Sequence, residues 1–272
     1  LKEILDLHHK TPFFVFINFS HYMINGDEIS INENKVGLKN IGMTCYMNSI
    51  LQQFYAIKPL RKAIMNSISD ENPLLKSISH LFYLMKYAKT KFIDPSFVVE
   101  KWEMRPNVYL NPRIQQDAAE ILQFLMHTFE AGKELKETVK GLFEVNLCHP
   151  IDGIDIEYHT ETLESFPVIQ LEVQDCTDMM SSFKNFSKPE LFLNDSQYFA
   201  DDLGMKINAK RSTLIKKAPP ILVVHLMRFY YNFSQNKQTK ITTCGIREIT
   251  QELSTFAAFA ENLSSVPGID VR

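Results

Sequence analysis

The sequence predicts an α+β fold in which helices come first and strands follow. Apolar residues recur with helical spacing from about residue 45 to residue 135, and short extended apolar runs replace them after about residue 140. The composition, 45% hydrophobic and 22% charged, is typical of a globular chain. Helical segments followed by strands favour an α+β architecture, with the change near residues 136–141. The 272 residues can bury a core without disulfides or metal ions.

Residues 1–36 are predicted to form a lead-in segment. Its apolar stretch, residues 12–24, is interrupted by Asn18, Ser20 and His21 and is shorter than the ~20 residues that a membrane-spanning helix needs. The pattern of a cleaved signal peptide is also missing. We therefore expect a buried strand or a packed N-terminal segment here, and no membrane partner.

Four stretches of the first half show the periodicity of amphipathic helices. Their inward-facing residues are Ile50, Leu51, Phe54 and Ile57; Leu74, Leu75, Ile78, Leu81, Phe82 and Met85; Phe97, Val98 and Trp102; and Ile114, Ala118, Ile121, Leu122, Leu125, Met126 and Phe129. The pair Asp94-Pro95 predicts the start of the third helix, because Asp caps well and Pro suits a first turn. The fourth stripe predicts a helix of four turns that begins near Ile114.

The second half predicts strands at residues 142–148, 154–160 and 166–173. Residues 177–192 are typical of a small helix and a turn. The run at 217–232 contains the strongest signal for a buried strand, from Ile221 to Phe229.

Charge and cysteine content limit the class of protein. The net charge of −3 argues against a general nucleic-acid binder, which would carry a basic excess. The four cysteines, Cys45, Cys148, Cys176 and Cys244, form no CxxC pair and are too sparse for a secreted disulfide scaffold. This pattern favours a reducing compartment, the cytoplasm or the nucleus.

The residues that predict a catalytic site lie in one segment, VGLKNIGMTCYMNSILQQF, residues 36–54. Cys45 lies in the first turn of a predicted helix, after the expected cap Thr44, where backbone N–H groups stabilise a thiolate. Two preceding glycines allow a tight turn and a close approach to a substrate. The Asn40 amide can donate to a developing oxyanion. The alternative is a buried structural cysteine at a helix start.

This segment resembles the cysteine box of the ubiquitin-specific proteases, the papain-like deubiquitinases or ubiquitin carboxyl-terminal hydrolases. The matching positions are Gly37, Leu38, Asn40, Gly42, Thr44, Cys45, Tyr46, Met47, Asn48, Ser49, Leu51 and Gln52. Residues 115–125, 161–173 and 192–229 resemble further family segments in the same order. The alternative is an unrelated α+β domain with a coincidental cysteine box. Four matching segments in the same order argue against it.

The resemblance implies a papain-like cysteine protease fold with a helical thumb, a β palm and β fingers. Residues 37–138 would form the thumb, and residues 139–272 the fingers and part of a palm that is incomplete at its C-terminus. Cys45 would attack the carbonyl group after the C-terminal glycine of ubiquitin, while Asn40 and the Cys45 N–H hold the oxyanion. The implied partners are ubiquitin and ubiquitinated proteins.

The resemblance also implies a substrate-binding role for residues near the start of the fourth helix. Gln116, Asp117 and Glu120 would line the channel for the arginine-bearing tail of ubiquitin, and carboxylates at a helix start suit a cationic peptide. The alternative is that these are ordinary acidic residues at a helix N-terminus.

The sequence departs from the family in its histidines. Papain-like catalysis needs a histidine as general base and acid, which the family supplies in a Gly-His-Tyr box after the Leu-x-Arg-Phe strand. The last histidine here, His225, lies within that strand. Either the chain stops before the box, or the protein is a pseudoenzyme that binds ubiquitin without cleaving it. No other histidine has a suggestive context: His8, His9, His21, His80, His127, His149 and His159.

A second departure concerns zinc, which many family members bind in the fingers through two CxxC pairs. Cys148 and His149 stand near the first pair, whereas residues 198–202 contain no cysteine. Cys148, His149 and His159 would supply only three of the four ligands of a structural zinc. We therefore expect no metal and no cofactor.

Overall fold

The structure, a computed structural model, describes residues 14–18, 36–67, 71–234 and 236–241. The chain divides into two compact units. Of the described residues, those within 36–142 belong to one unit, and residues 14–18 together with those within 143–241 belong to the other. The described helices lie mainly in the first unit and most strands in the second, which confirms the predicted α+β fold class.

The first unit is built on helices. They are α1 (Cys45–Ala56), α2 (Lys58–Asn66), α3 (Pro73–Tyr87), α4 (Ser96–Val99), α5 (Ala118–Phe129) and α6 (Lys133–Phe143), the last of which ends one residue into the second unit. Two short strands, β2 (Gly37–Leu38) and β3 (Phe92–Ile93), pair in parallel, and β4 (Glu103–Arg105) forms a hairpin with β5 (Val108–Tyr109).

The predicted apolar stripes form the core of this unit. Phe54 of α1 packs against Phe129 of α5 with ring centroids 5.5 Å apart, and the buried Trp102 stacks on Phe124 at 6.0 Å. Most stripe residues are fully buried, whereas Ile57 and Phe97 are only partly covered. The first, second and fourth stripes thus lie on helices whose apolar faces meet in one core. The third prediction is only partly right: α4 ends at Val99, so Trp102 is buried but lies outside a helix.

The start predicted for the fourth helix is wrong. Ile114 lies ahead of α5 and is 53% exposed. The helix begins at Ala118 because the Asp117 side chain accepts a hydrogen bond from the Ala119 N–H at 2.7 Å and caps it. α5 is thus a helix of 12 residues, about one turn shorter than predicted.

The second unit consists mainly of strands. They are β1 (Phe14–Asn18), β6 (Val145–Gly153), β7 (His159–Phe166), β8 (Ile169–Glu172), β9 (Glu190–Phe192), β10 (Tyr198–Ala200), β11 (Met205–Ile207), β12 (Ala209–Arg211), β13 (Leu214–Lys217), β14 (Ile221–Met227), β15 (Phe229–Asn232) and β16 (Lys237–Lys240). The helix α7 (Met179–Phe186) lies between β8 and β9.

The largest sheet is centred on β6. Its strand order is β13-β6-β12-β9, and β7 pairs with β6 in antiparallel register from Val145 opposite Phe166 to Asp152 opposite His159. Two antiparallel hairpins, β10–β11 and β15–β16, form separate small sheets. The strands predicted at 142–148 and 154–160 are therefore displaced: the first begins at Val145, and residues 154–158 form a turn before β7.

A second sheet has the order β1-β14-β8, in which β14 runs antiparallel to β1 and parallel to β8. Successive residues of β14 from Ile221 to Val224 are buried, so both faces of the strand are covered, which explains its continuous apolar run. Leu222, Val224 and Leu226 of β14 share a buried cluster with Met179 and Phe183 of α7. The strand predicted within residues 12–24 is present as β1; its side chains lie outside the described residues.

The turn that leads into α1 depends on a glycine. Gly42 has φ 148°, and a Cβ at this position would collide with the carbonyl oxygen of Pro112. The same carbonyl accepts a hydrogen bond from the Met43 N–H at 2.7 Å. The loop before α5 therefore holds the turn before α1 at a distance that only glycine permits.

We expect Gly42→Ala to destabilise the protein by about 2 kcal/mol, because it adds backbone strain and a steric clash. The matched control is Gly141→Ala in α6, where an added Cβ meets nothing within 4 Å. That change should stabilise by about 0.5–1 kcal/mol through helix propensity. Urea unfolding monitored by circular dichroism measures both. Equal effects of the two substitutions would contradict this account of the turn.

Candidate active site

Cys45 is the first residue of α1, and its side chain is exposed. The first intrahelical hydrogen bond joins the Asn48 N–H to the Thr44 carbonyl at 3.0 Å. The N–H groups of Cys45 and the next two residues therefore precede that bond and form the positive end of the helix. Because Cys45 is exposed, the alternative of a buried structural cysteine is wrong.

Thr44 does not cap α1 as the sequence predicted. Its side chain makes no cap hydrogen bond; the Thr44 hydroxyl instead donates to Asn40 Oδ1 at 3.0 Å and accepts from the Ile41 N–H at 3.4 Å. Thr44 is fully buried. Since no side chain caps α1, its first N–H groups stay available for an anionic ligand.

The side-chain oxygen of Asn40 accepts three hydrogen bonds. The donors are the Gly42 N–H at 3.3 Å, the Thr44 N–H at 3.3 Å and the Thr44 hydroxyl at 3.0 Å. Backbone N–H groups can only donate, so the amide must present its oxygen to them. The Asn40 Nδ2 group is then directed away from these donors, which leaves its N–H bonds for another acceptor.

Two side chains of α1 hold the segment that precedes the cysteine. Asn48 Nδ2 donates to the Lys39 carbonyl at 3.1 Å, and Gln52 Nε2 donates to the Val36 carbonyl at 2.8 Å. Positions four apart lie on one helix face, so both can reach the same strand. The sequence motif contains these residues, but only the structure gives them this role.

An ion pair fastens the same segment to the start of α4. Lys39 Nζ lies 2.9 Å from Asp94 Oδ2. The hydroxyl of Ser96, the Lys39 ammonium and the Ser96 N–H together lower the pKa of Asp94 to about 2. Both side chains are about half exposed, so this pair contributes little to stability and mainly orients the segment.

Tyr46, next to the nucleophile candidate, turns inward. Burial, with a smaller contribution from the charge of Cys45, raises the pKa of Tyr46 to about 12. The phenol therefore stays neutral at physiological pH, and the residue anchors the first turn of α1 in the core.

The predicted substrate-binding residues lie at the start of α5. Gln116 is half-buried, and Asp117 and Glu120 are exposed. One Asp117 oxygen caps the helix, as the alternative interpretation expected. The same loop carries the Pro112 carbonyl that binds Met43, so the start of α5 and the cysteine turn are joined by a direct hydrogen bond.

The described histidines have other contacts. Of the two in the unit of Cys45, His80 packs edge-on against Phe97, and His127 lies in the last turn of α5. Neither is hydrogen-bonded to the Cys45 thiol. In the second unit, His149 contacts Thr213, His159 contacts Asp152, and His225 lies within β14. His8, His9 and His21 lie outside the described residues.

The zinc-ligand candidates are separated by the pleat of β6. Cys148 and His149 are adjacent on this strand, so their side chains point to opposite faces. The Cys148 thiol donates to Glu161 Oε2 at 3.1 Å, and burial together with that carboxylate raises the pKa of the thiol. Among the residues that the structure describes, no three His, Cys, Asp or Glu side chains form a metal-binding group. Nor does this part of the chain contain a helix long and apolar enough to cross a membrane.

Comparison with known proteins identifies the family. Residues 36–264 match the model of the ubiquitin carboxyl-terminal hydrolase family. The chain is 33% identical over 220 residues to ubiquitin C-terminal hydrolase 12 of Arabidopsis thaliana, an alignment that covers 76% of this chain and 19% of that protein. It is 32% identical over 208 residues to ubiquitin carboxyl-terminal hydrolase 7 of Drosophila melanogaster, with coverage of 72% and 18%.

A third relative is ubiquitin carboxyl-terminal hydrolase 34 of Homo sapiens, 28% identical over 213 residues, which cover 76% of this chain and 6% of that protein. The chain thus spans about a fifth or less of the length of these relatives. The family match extends over most of the chain and includes the exposed cysteine, the Asn40 turn and the strand β14. The chain therefore belongs to the ubiquitin carboxyl-terminal hydrolase family, as a member of the ubiquitin-specific protease type with its papain-like α+β fold.

Proposed function

We propose that the protein is a thiol-dependent deubiquitinase that hydrolyses the bond after the C-terminal glycine of ubiquitin, with Cys45 as the nucleophile. The observation that carries the proposal is the exposed Cys45 thiol at the uncapped N-terminus of α1, five residues after Asn40, whose side-chain amide is oriented by hydrogen bonds. This arrangement joins a nucleophile to donors for the charge that develops on a carbonyl oxygen.

The reaction follows from these groups. The Cys45 thiolate attacks the glycine carbonyl carbon, and the oxygen becomes an anion held by Asn40 Nδ2 and the Cys45 N–H. The carbon–nitrogen bond then breaks, and the amine leaves with the proton that the Cys45 thiol gave up. Water attacks the resulting thioester, which releases the ubiquitin carboxylate and regenerates the thiol. A histidine normally moves these protons, and none of the described residues is assigned that role.

Gln116, Asp117 and Glu120 are proposed to bind the cationic tail of ubiquitin. The exposed carboxylates of Asp117 and Glu120 support this role, since only one Asp117 oxygen is needed to cap α5. A carboxylate that caps a helix can still accept from a guanidinium through its second oxygen. A reducing compartment, the cytoplasm or the nucleus, would suit the free thiol of Cys45.

A second candidate function is a ubiquitin-binding protein without turnover. The observation in its favour is that, among the residues that the structure describes, no histidine is hydrogen-bonded to the Cys45 thiol. The open α1 N-terminus and the Asn40 turn argue for chemistry, since binding alone would need neither.

We expect Cys45→Ala to lower kcat on a fluorogenic ubiquitin C-terminal amide at least about 10³-fold, because the nucleophile is lost. Cys176→Ala, a buried cysteine outside the site, is the control and should keep its activity within about threefold. Ubiquitin binding by calorimetry should survive both changes. Binding without turnover in the unmodified chain would favour the second function, and turnover that survives Cys45→Ala would refute the first.

Asp117→Asn and Glu120→Gln should each raise KM for the same substrate by about three- to tenfold and leave kcat nearly unchanged. Asparagine caps a helix as well as aspartate, so the first change removes charge and keeps the structure. Glu100→Gln, an exposed residue at the end of α4, is the control. If all three substitutions left KM unchanged, Asp117 and Glu120 would not be part of the substrate-binding site.

Among the three free cysteines that the structure describes, Cys45 should be alkylated first by iodoacetamide at pH 7, at least about tenfold faster than Cys148 or Cys176. The latter two are buried, and the raised pKa of Cys148 lowers its thiolate fraction further. Peptide mass spectrometry over a time course measures the three rates. Faster modification of Cys148 would contradict the assignment of Cys45 as the accessible nucleophile.

A further inference from the structure

A relay of hydrogen bonds runs from the main chain to the Asn40 amide. The Ile41 N–H donates to Thr44 Oγ1, and Thr44 Oγ1 lies 3.0 Å from Asn40 Oδ1. A backbone N–H can only donate, so the hydroxyl accepts from Ile41 and uses its single proton on Asn40. The direction of the relay is therefore fixed, and each bond polarises the next.

Burial protects this relay from water. Thr44 has no exposed surface, whereas Asn40 and Cys45 on either side of it are exposed. Water at the site can compete for the outer atoms of Asn40 and cannot reach the Thr44 hydroxyl. The hydroxyl bond is also the shortest of the three on Oδ1, since the two N–H bonds measure 3.3 Å.

The terminal torsion of an asparagine side chain is soft and needs such contacts to select one orientation. Loss of the hydroxyl would leave two long bonds from Gly42 and Thr44 to hold the amide. A donor that must reorganise during the reaction stabilises an oxyanion less than one already in place.

We propose that Thr44 is a positioning residue: its buried hydroxyl locks the Asn40 amide so that Nδ2 is preorganised to donate to the oxyanion. This inference rests on the proposed hydrolase function for its catalytic consequence. The orientation of Asn40 by the Thr44 hydroxyl can be measured in a chain that has no turnover. A cap function for the hydroxyl is excluded by its bonds, because it makes none to the first turn of α1.

The test compares Thr44→Val, which keeps the shape and removes the hydroxyl, with Thr44→Ser, which keeps the hydroxyl. In the full chain, Thr44→Val should lower kcat on the fluorogenic ubiquitin amide about tenfold with KM unchanged, and Thr44→Ser should stay within about threefold. On an Asn40→Ala background, Thr44→Val should cost no further activity, because the residue it positions is gone. A purely structural role would lower the melting temperature and persist on that background.

A second measurement follows the amide itself. In protein labelled with ¹⁵N-asparagine, the Asn40 side-chain signal is assigned by its loss in Asn40→Ala. Its heteronuclear NOE should report a rigid amide in the unmodified chain and in Thr44→Ser, and a mobile one in Thr44→Val. An equally rigid amide in Thr44→Val overturns the proposal, as does a mobile amide with unchanged kcat in an active chain.

The activity assay and the NMR measurement distinguish the hydrolase function from the positioning role of Thr44. An unmodified chain without turnover, but with an Asn40 amide that Thr44→Val mobilises, would refute the hydrolase function and keep the positioning role of Thr44. The opposite result is turnover that depends on Cys45, together with an Asn40 amide and a kcat that are both unchanged in Thr44→Val. That result would keep the hydrolase function and refute the positioning role of Thr44.

Discussion

The close approach of the Pro112 carbonyl to Gly42 is the constraint on which the site depends. It forces the backbone at Gly42 to a φ of 148° and accepts the Met43 N–H at 2.7 Å. The chain then enters α1 with Thr44 turned inward, so the Thr44 hydroxyl is drawn to Asn40 and leaves the helix uncapped. A capping Thr44 side chain would instead have satisfied the N–H of Tyr46 or Met47 in the first turn of α1.

The remaining contacts of the turn are individually modest, since a hydrogen bond contributes about 1 kcal/mol net. They act together because they hold one short segment from several directions: Asn48 and Gln52 bind its carbonyls, and Asp94 binds Lys39. The segment can therefore keep a strained backbone and an exposed thiol while the core below it, around Phe54, supplies the stability. The exposed thiol of Cys45 and the buried core residues therefore lie on different faces of α1.

The parts of the fold that are determined locally could be predicted from the sequence. Helix periodicity located the buried faces of α1, α3 and α5, and the motif around Cys45 marked an exposed helix start. Features set by a distant residue could not be predicted: Pro112 sets the Gly42 turn, and the Asn208 carbonyl accepts from the Ile154 N–H in the turn that the pattern predicted as a strand. The roles of Thr44 and Asn40 Oδ1 depend on side-chain orientation, which spacing does not encode.

Cys45 and Cys148 are the same residue type in opposite environments, and this difference supports Cys45 as the proposed nucleophile. Cys148 lies buried in β6, donates to Glu161 and faces a negative carboxylate, all of which favour the neutral thiol. Cys45 is exposed at the positive end of α1, with no acidic residue in the first turn of that helix. A thiolate forms at low cost only where N–H groups and solvent can stabilise it. Of these two thiols, only Cys45 has the surroundings that the proposed attack on a carbonyl carbon needs, because burial and Glu161 raise the pKa of Cys148.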